Sequence, residues 1–234
     1  MFLRRLVMVF AIVFVGSLAL AAAAVAAGGL GPGKYTFHSS SANAFFGMGK
    51  KGGPPAASWQ VSVSQGLNSF KPEGASRIVL DSTVVYVTEF DATGQGGFGC
   101  FVVPDRDFAV SRDLSSASLH ATLTQDEACP GTGTPVAGSK DAVFAGGNDG
   151  LTLPITVDVT WSATGAVTSY QQSFALQCVN YKEDGNSNNL FTGASAAGTI
   201  SALSGSFNSG SADVSTTVGK LNIDGVPPSS CFGY

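Results

Sequence analysis

Glu89 and Asp91 stand two residues apart in a β-branched run. On a strand such residues share one face about 7 Å apart, close to the separation of the paired carboxylates that cleave glycosidic bonds. Val85 and Val87 fall on the same face and would give Glu89 the apolar surroundings of a general acid. The competing assignment takes Phe90 as the buried side and leaves both carboxylates solvated at a strand end, beside the glycine-rich 94–99 loop. Asp105, Asp107 and Asp113, interleaved with Arg106 and Arg112, form a second acidic segment after Pro104. Alternating signs suit a solvated loop held by local ion pairs, with calcium as the functional alternative.

Asp184-Gly185-Asn186-Ser187-Asn188 places oxygen-bearing side chains at alternate positions, as a calcium loop begins. It then departs from that pattern, because Asn189 stands where the EF-hand glycine belongs and Ser195 where the bidentate glutamate belongs. A hairpin turn is the better reading, and Asn148-Asp149-Gly150 reads the same way. Gly193-Ala194-Ser195-Ala196-Ala197 approaches a nucleophile elbow but lacks its last glycine. His120 on a polar strand face and His38 near the start of the chain supply no local partner for a serine. Gly47-Met48-Gly49-Lys50 fails the phosphate-loop spacing. Trp59 and Trp161 sit in phase with valines and are expected in the core, whereas Tyr170, Tyr181 and Tyr234 have polar neighbours and are candidates for exposed binding residues. These motifs name no catalytic residue, no metal ligand and no cofactor.

The four cysteines, Cys100, Cys129, Cys178 and Cys231, are an even set. In an exported chain they predict two disulfides, and proximity in sequence favours Cys100 with Cys129 and Cys178 with Cys231. A zinc site is a poor alternative, for there is no C-x-x-C and neither His38 nor His120 lies at ligand spacing.

Export is itself an expectation from the first 27 residues. Arg4 and Arg5 precede an apolar run from Leu6 to Leu20, and Ala24-Val25-Ala26 offers a small-residue cleavage site. An uncleaved anchor is the alternative, since the segment is just long enough to span about 30 Å of hydrocarbon. Losing the two arginines would take the net charge from −4 to −6, which disfavours nucleic acid as a partner. Residues 28–57 are rich in Gly, Pro, Ser and Lys and read as a flexible N-terminal arm with one short strand near Lys34 to His38.

From residue 58 to 234 the pattern is that of a single β domain. Trp59, Val61 and Val63 alternate with polar residues; Arg77 to Phe90 carries apolar residues on both faces; Phe98 to Val103 is a further candidate. Ala117, Leu119, Ala121 and Leu123 alternate with Ser118, His120 and Thr122. Ile155 to Ser162 is expected to turn at Ala163-Thr164-Gly165-Ala166 and pair antiparallel with Val167 to Val179. Ala194 to Leu203 and Ala212 to Ile223 complete the strands. The expected architecture is all-β, an antiparallel β-sandwich or jelly-roll-like fold, disulfide-bonded, preceded by a signal helix.

The stretch LPITVDVTWSATGAV resembles a VDVTW-x-x-TG segment of uncharacterised secreted β-sandwich proteins of actinobacteria and related bacteria. The likeness spans about residues 115–225 and implies export and an all-β fold, with no functional residue to carry over. The function expected is therefore that of a secreted or surface-associated, non-catalytic binding module, with polysaccharide or a cell-surface protein as partner and no membrane contact beyond the signal segment. A secreted glycan-acting hydrolase using Glu89, Asp91 or the Asp105–Asp113 segment is one alternative, and a structural envelope or coat component is the other.

Overall fold

The computed structural model describes residues 32–48, 57–91, 96–129, 148–201 and 207–226. The segment expected as a signal, Gly49-Lys50, Cys231 and Tyr234 lie outside the described residues. Among the described residues eleven strands form one sheet, and every pairing is antiparallel. In chain order they are β1 (Gly33–Met48), β2 (Ala57–Pro72), β3 (Ile78–Asp91), β4 (Phe98–Val103), β5 (Phe108–Val110), β6 (Ser116–Leu123), β7 (Asn148–Asp149), β8 (Ile155–Ala163), β9 (Thr168–Cys178), β10 (Tyr181–Ile200) and β11 (Phe207–Gly225). In space the order is β5-β6-β8-β10-β11-β1-β2-β3-β4-β7, with β9 also paired to β10. Where two packed sheets were expected, hydrogen bonding runs unbroken through one.

That sheet turns back on itself around a shared core. Phe46, Trp59, Val61, Val63, Val85, Val87 and Phe101 from β1–β4 bury in the same cluster as Leu119, Leu123, Ile155, Val157, Val159 and Trp161 from β6 and β8. Full burial of each such side chain contributes about 1.5–3 kcal/mol relative to exposure, which is why the alternation in β2, β6 and β8 was readable in advance. The Cys100–Cys129 disulfide, as expected, closes the seam between β4 and the segment after β6, and a bridge pairs Phe101 with Ala128. Cys178 is also disulfide-bonded.

Three expectations need correction. The segment expected as an arm with one short strand is β1, a sixteen-residue strand between β11 and β2. Ala42 and Ala44 suit it, because these small side chains fall on the face crowded by Trp59 and Trp161, while Ser41 and Asn43 alternate onto the other face. The expected hairpin at Ala163–Ala166 is not a turn. Gly165 is absent from the positive-φ residues, a conformation a two-residue turn of this kind requires, and the chain bends at Gly165 but keeps its direction along β10, with Thr164 N–H donating to the Gly193 carbonyl at 2.9 Å. β8 and β9 therefore lie end to end along β10. The reversal comes at Val179-Asn180, where Asn180 takes φ +58°, a left-handed conformation that asparagine tolerates. The third is Asp184 to Asn188, which forms neither a turn nor a calcium loop but lies inside β10.

Candidate functional site

The carboxylates singled out from sequence are held apart. Asp105 follows β4 and accepts a 2.6 Å hydrogen bond from the buried Thr83 hydroxyl. Glu89 lies six residues beyond Thr83 on β3, its N–H donating to the Gly97 carbonyl at 2.8 Å. Six residues of strand span about 20 Å, well beyond the 6.5–9.5 Å of an inverting carboxylate pair. Asp107 pairs with Arg106 at 3.8 Å. Asp113 caps the β5–β6 turn, accepting from the Ser115 N–H at 3.1 Å and its hydroxyl at 2.7 Å; these bonds hold its carboxyl below the usual carboxylate range. The Asp91 carboxylate lies outside the described residues.

The remaining candidates resolve into structural roles. Trp59 and Trp161 are fully buried, as expected. Asn148 makes the turn anticipated for it, its amide bonding the Leu151 carbonyl at 2.9 Å, with Gly150 at φ +80°. Ser195 sits at a β-bulge in β10, exposed and away from either histidine's strand partners. His120 has a partner that sequence reasoning missed, Asp158 directly across on β8 at 3.0 Å, both largely exposed. Tyr170 is exposed, but Tyr181 is buried, contrary to expectation, and its hydroxyl donates to Glu183 at 2.6 Å. Burial first, then that bond and the Glu183 charge, push the Tyr181 pKa up. Among the described residues no group of three or more His, Cys, Asp or Glu is placed to hold a metal ion.

The surface that gathers reactive groups was not legible beforehand. Because β1, β2, β10 and β11 are sixteen to twenty residues long, they outrun the shared core, and the face that is apolar at one end continues exposed at the other. Register places Asn186, Lys220, Thr36, Ser69 and Val79 in one row across five strands, and Asn188, Val218, His38, Leu67 and Asp81 in the next. Apart from Asn188 and Asp81, these rows line an open depression of about 460 Å³. Leu67, Val79 and Val218 are 47%, 48% and 53% exposed within it.

Cations gather around this patch. Lys220 and Arg77 line the depression, and Lys34 and Lys71 occupy the row beyond, directly opposite each other. Arg77 donates to the Ser69 hydroxyl at 2.5 Å, which fixes its guanidinium beside Val79. Among the described residues, none of these four forms an ion pair within 4 Å. The nearby Asp184 is already engaged, by Asn222 at 3.1 Å and Lys182 at 3.5 Å. The Asn222 bond, followed by the charges of Lys182 and Lys220, holds the Asp184 carboxyl low. The result is a local excess of positive charge on a chain whose net charge is −4.

No family model matches the chain, and no curated protein matches it. Among solved structures, two crystal structures of CghA, one with Sch210972, align over 82% of this chain and 89% of theirs at 8% identity. The TM-score is 0.14 in both cases, so the likeness carries no argument about fold or function.

Proposed function

We propose that this chain is an exported, non-catalytic binding module with sandwich-like β architecture, and that its ligand is an anion with an aliphatic portion. The observation that carries the reading is the juxtaposition of Leu67, Val79 and Val218 with Lys34, Lys71, Arg77 and Lys220 on one open face. Exposed aliphatic side chains offer no hydrogen bonds and favour an alkyl surface, while clustered cations that outnumber the nearby carboxylates Asp81 and Asp184 favour a phosphate or carboxylate head. Export is supported by the basic and apolar leader and by an even set of cysteines with the Cys100–Cys129 bond formed. The separation of Glu89 from Asp105 speaks against a hydrolase that would pair these two carboxylates.

The test is calorimetric titration of the oxidised chain, residues 28–234, with dodecyl phosphate, with dodecyl maltoside as its neutral counterpart, and with inorganic phosphate. Binding of dodecyl phosphate alone, weakened at least tenfold by Lys220→Glu and by Leu67→Asn, supports the proposal. Equal binding of the neutral detergent, or binding that neither variant alters, overturns it.

A further inference from the structure

Leu221 and Val218 stand three residues apart on β11 and face opposite sides of the sheet. Val218 is 53% exposed over the open depression, whereas Leu221 is 5% exposed. Its neighbours on that second face are buried likewise: Tyr35, Tyr181 and Ile223 are 4%, 5% and 7% exposed, and Phe70, Leu176 and Cys178 pack against them. Register sets all of these side by side on one face of β9, β10, β11, β1 and β2, so none lies on top of another. Two more rings lie flat on this floor, because Gly185 and Gly219 have no side chains to hold Phe174 and Phe37 away. Lateral contacts of this kind cover the flanks of a side chain and leave its tip open, as Leu67 and Val218 show on the other face. Bringing Tyr35 and Leu221 to such low exposure takes a covering layer.

A cysteine names the occupant. Cys178 is disulfide-bonded, and Cys100 and Cys129 are bonded to each other. Of the four cysteines in the chain, the partner left for Cys178 is Cys231. β11 ends at Gly225, which stands opposite Tyr181, and Tyr181 in turn stands opposite Cys178. The two ends are thus two strand spacings apart, about 10 Å. Gly225, at φ +80°, turns the chain out of the strand, a conformation glycine adopts without a Cβ clash. Cys231 follows six residues later, after Val226-Pro227-Pro228-Ser229-Ser230, and six residues of extended, proline-rich chain reach about 19 Å. With about 5.5 Å between the Cα atoms of a disulfide, that suffices to cross β10 and is too little to stand far off the sheet. β10 is paired along both sides here, so the crossing runs over a face, and Cys178 belongs to the aromatic one.

We infer that this aromatic face is the docking site of the chain's own residues 227–234, strapped there by a Cys178–Cys231 disulfide. Residues 227–230 cross over Tyr181, Glu183 and Ile223, and Phe232 and Tyr234 supply the apolar groups that meet Leu221 and Tyr35. The floor suits an apolar occupant, since its one buried carboxylate, Glu183, already takes a hydrogen bond from the Tyr181 hydroxyl at 2.6 Å within the face. The depression lies on the opposite face of the same strands, so the strap leaves it open.

The experiment is peptide mapping and hydroxyl-radical footprinting of the oxidised chain, residues 28–234. Trypsin without reduction should release residues 141–182 joined to 221–234, and Tyr35 and Tyr181 should be modified at least fivefold more slowly than the exposed Tyr170. Removing residues 227–234 together with Cys178→Ser should raise the modification of Tyr35, Tyr181 and Leu221 at least fivefold, with the far-ultraviolet circular dichroism unchanged. The full-length variant Cys178→Ser with Cys231→Ser keeps every apolar group and should show a smaller rise at the same residues. Absence of the joined peptide overturns the inference. So does protection of Tyr35 and Leu221 that neither variant alters, which would assign the cover to another part of the chain. Lys220→Glu, which bears on the ligand reading, should change neither readout.

Discussion

Lys34 on β1 and Lys71 on β2 face each other across one rung of the sheet, with Lys220 diagonally adjacent on β11. Like charges directly opposite are destabilising, and strand neighbours lie only about 4.8 Å apart. Replacing one of them by a carboxylate should therefore stabilise the free chain. Lys71→Glu is expected to raise stability by about 0.2–1 kcal/mol, measured by urea denaturation at low salt, while lowering affinity for dodecyl phosphate. A loss of stability would mean that the pair is not repulsive and that the cation cluster needs no anion to explain it.

The two tryptophans should behave differently. Trp161 donates its indole N–H to the Asn43 carbonyl at 2.8 Å, joining β8 to β1 across the core, whereas the buried Trp59 N–H has no partner among the described residues. Both lose similar apolar volume on replacement by phenylalanine, but only Trp161→Phe loses a hydrogen bond. Its cost should exceed that of Trp59→Phe by about 1–2 kcal/mol, read from the difference in urea midpoints at constant slope.

The seam disulfide spans 29 residues between Cys100 and Cys129. A loop of that length restricts the unfolded chain by about 3–4 kcal/mol. The double replacement Cys100→Ala with Cys129→Ala should lower stability by that order, with the larger effect on unfolding of β4 and the β6–β8 side, as hydrogen exchange would show.

Asp213 on β11 is held in a part-buried position beside Asn43, whose amide donates to it at 2.9 Å. Burial raises its pKa, and the Asn43 bond only partly opposes that shift. A raised folded-state pKa means that the protonated form is favoured on folding. This contribution is fully present below the unfolded value, near 3.8, and is lost as pH rises through the folded value. Asp213→Asn should thus be more stable than the parent at neutral pH, with the gap closing toward pH 4. A gap that widens on acidification would reverse the assignment.

Much of the framework was legible in sequence because burial imposes a period. The alternation in Ala117–Leu123 and Ile155–Trp161 gave their buried faces residue by residue, and the Cys100–Cys129 pairing followed from proximity. β1 was misread because its Ser, Asn and Gly residues lack strand propensity, and its neighbours on both sides, β2 and β11, supply the packing that composition does not. Ala163–Ala166 was misread because a Gly-containing tetrapeptide between two strands looks like a turn, while the backbone conformation of Gly165 depends on β10 running alongside.

The sequence by itself determined an all-β chain, the inward faces of its most apolar strands and the buried tryptophans, because each follows from side-chain chemistry acting over a few residues, and it favoured the seam disulfide among three possible pairings. Only the tertiary structure decided that Lys34, Lys71, Arg77 and Lys220 meet around Leu67, Val79 and Val218. These residues lie up to 186 positions apart, and what unites them is strand register, a one-residue slip of which would send each side chain to the opposite face.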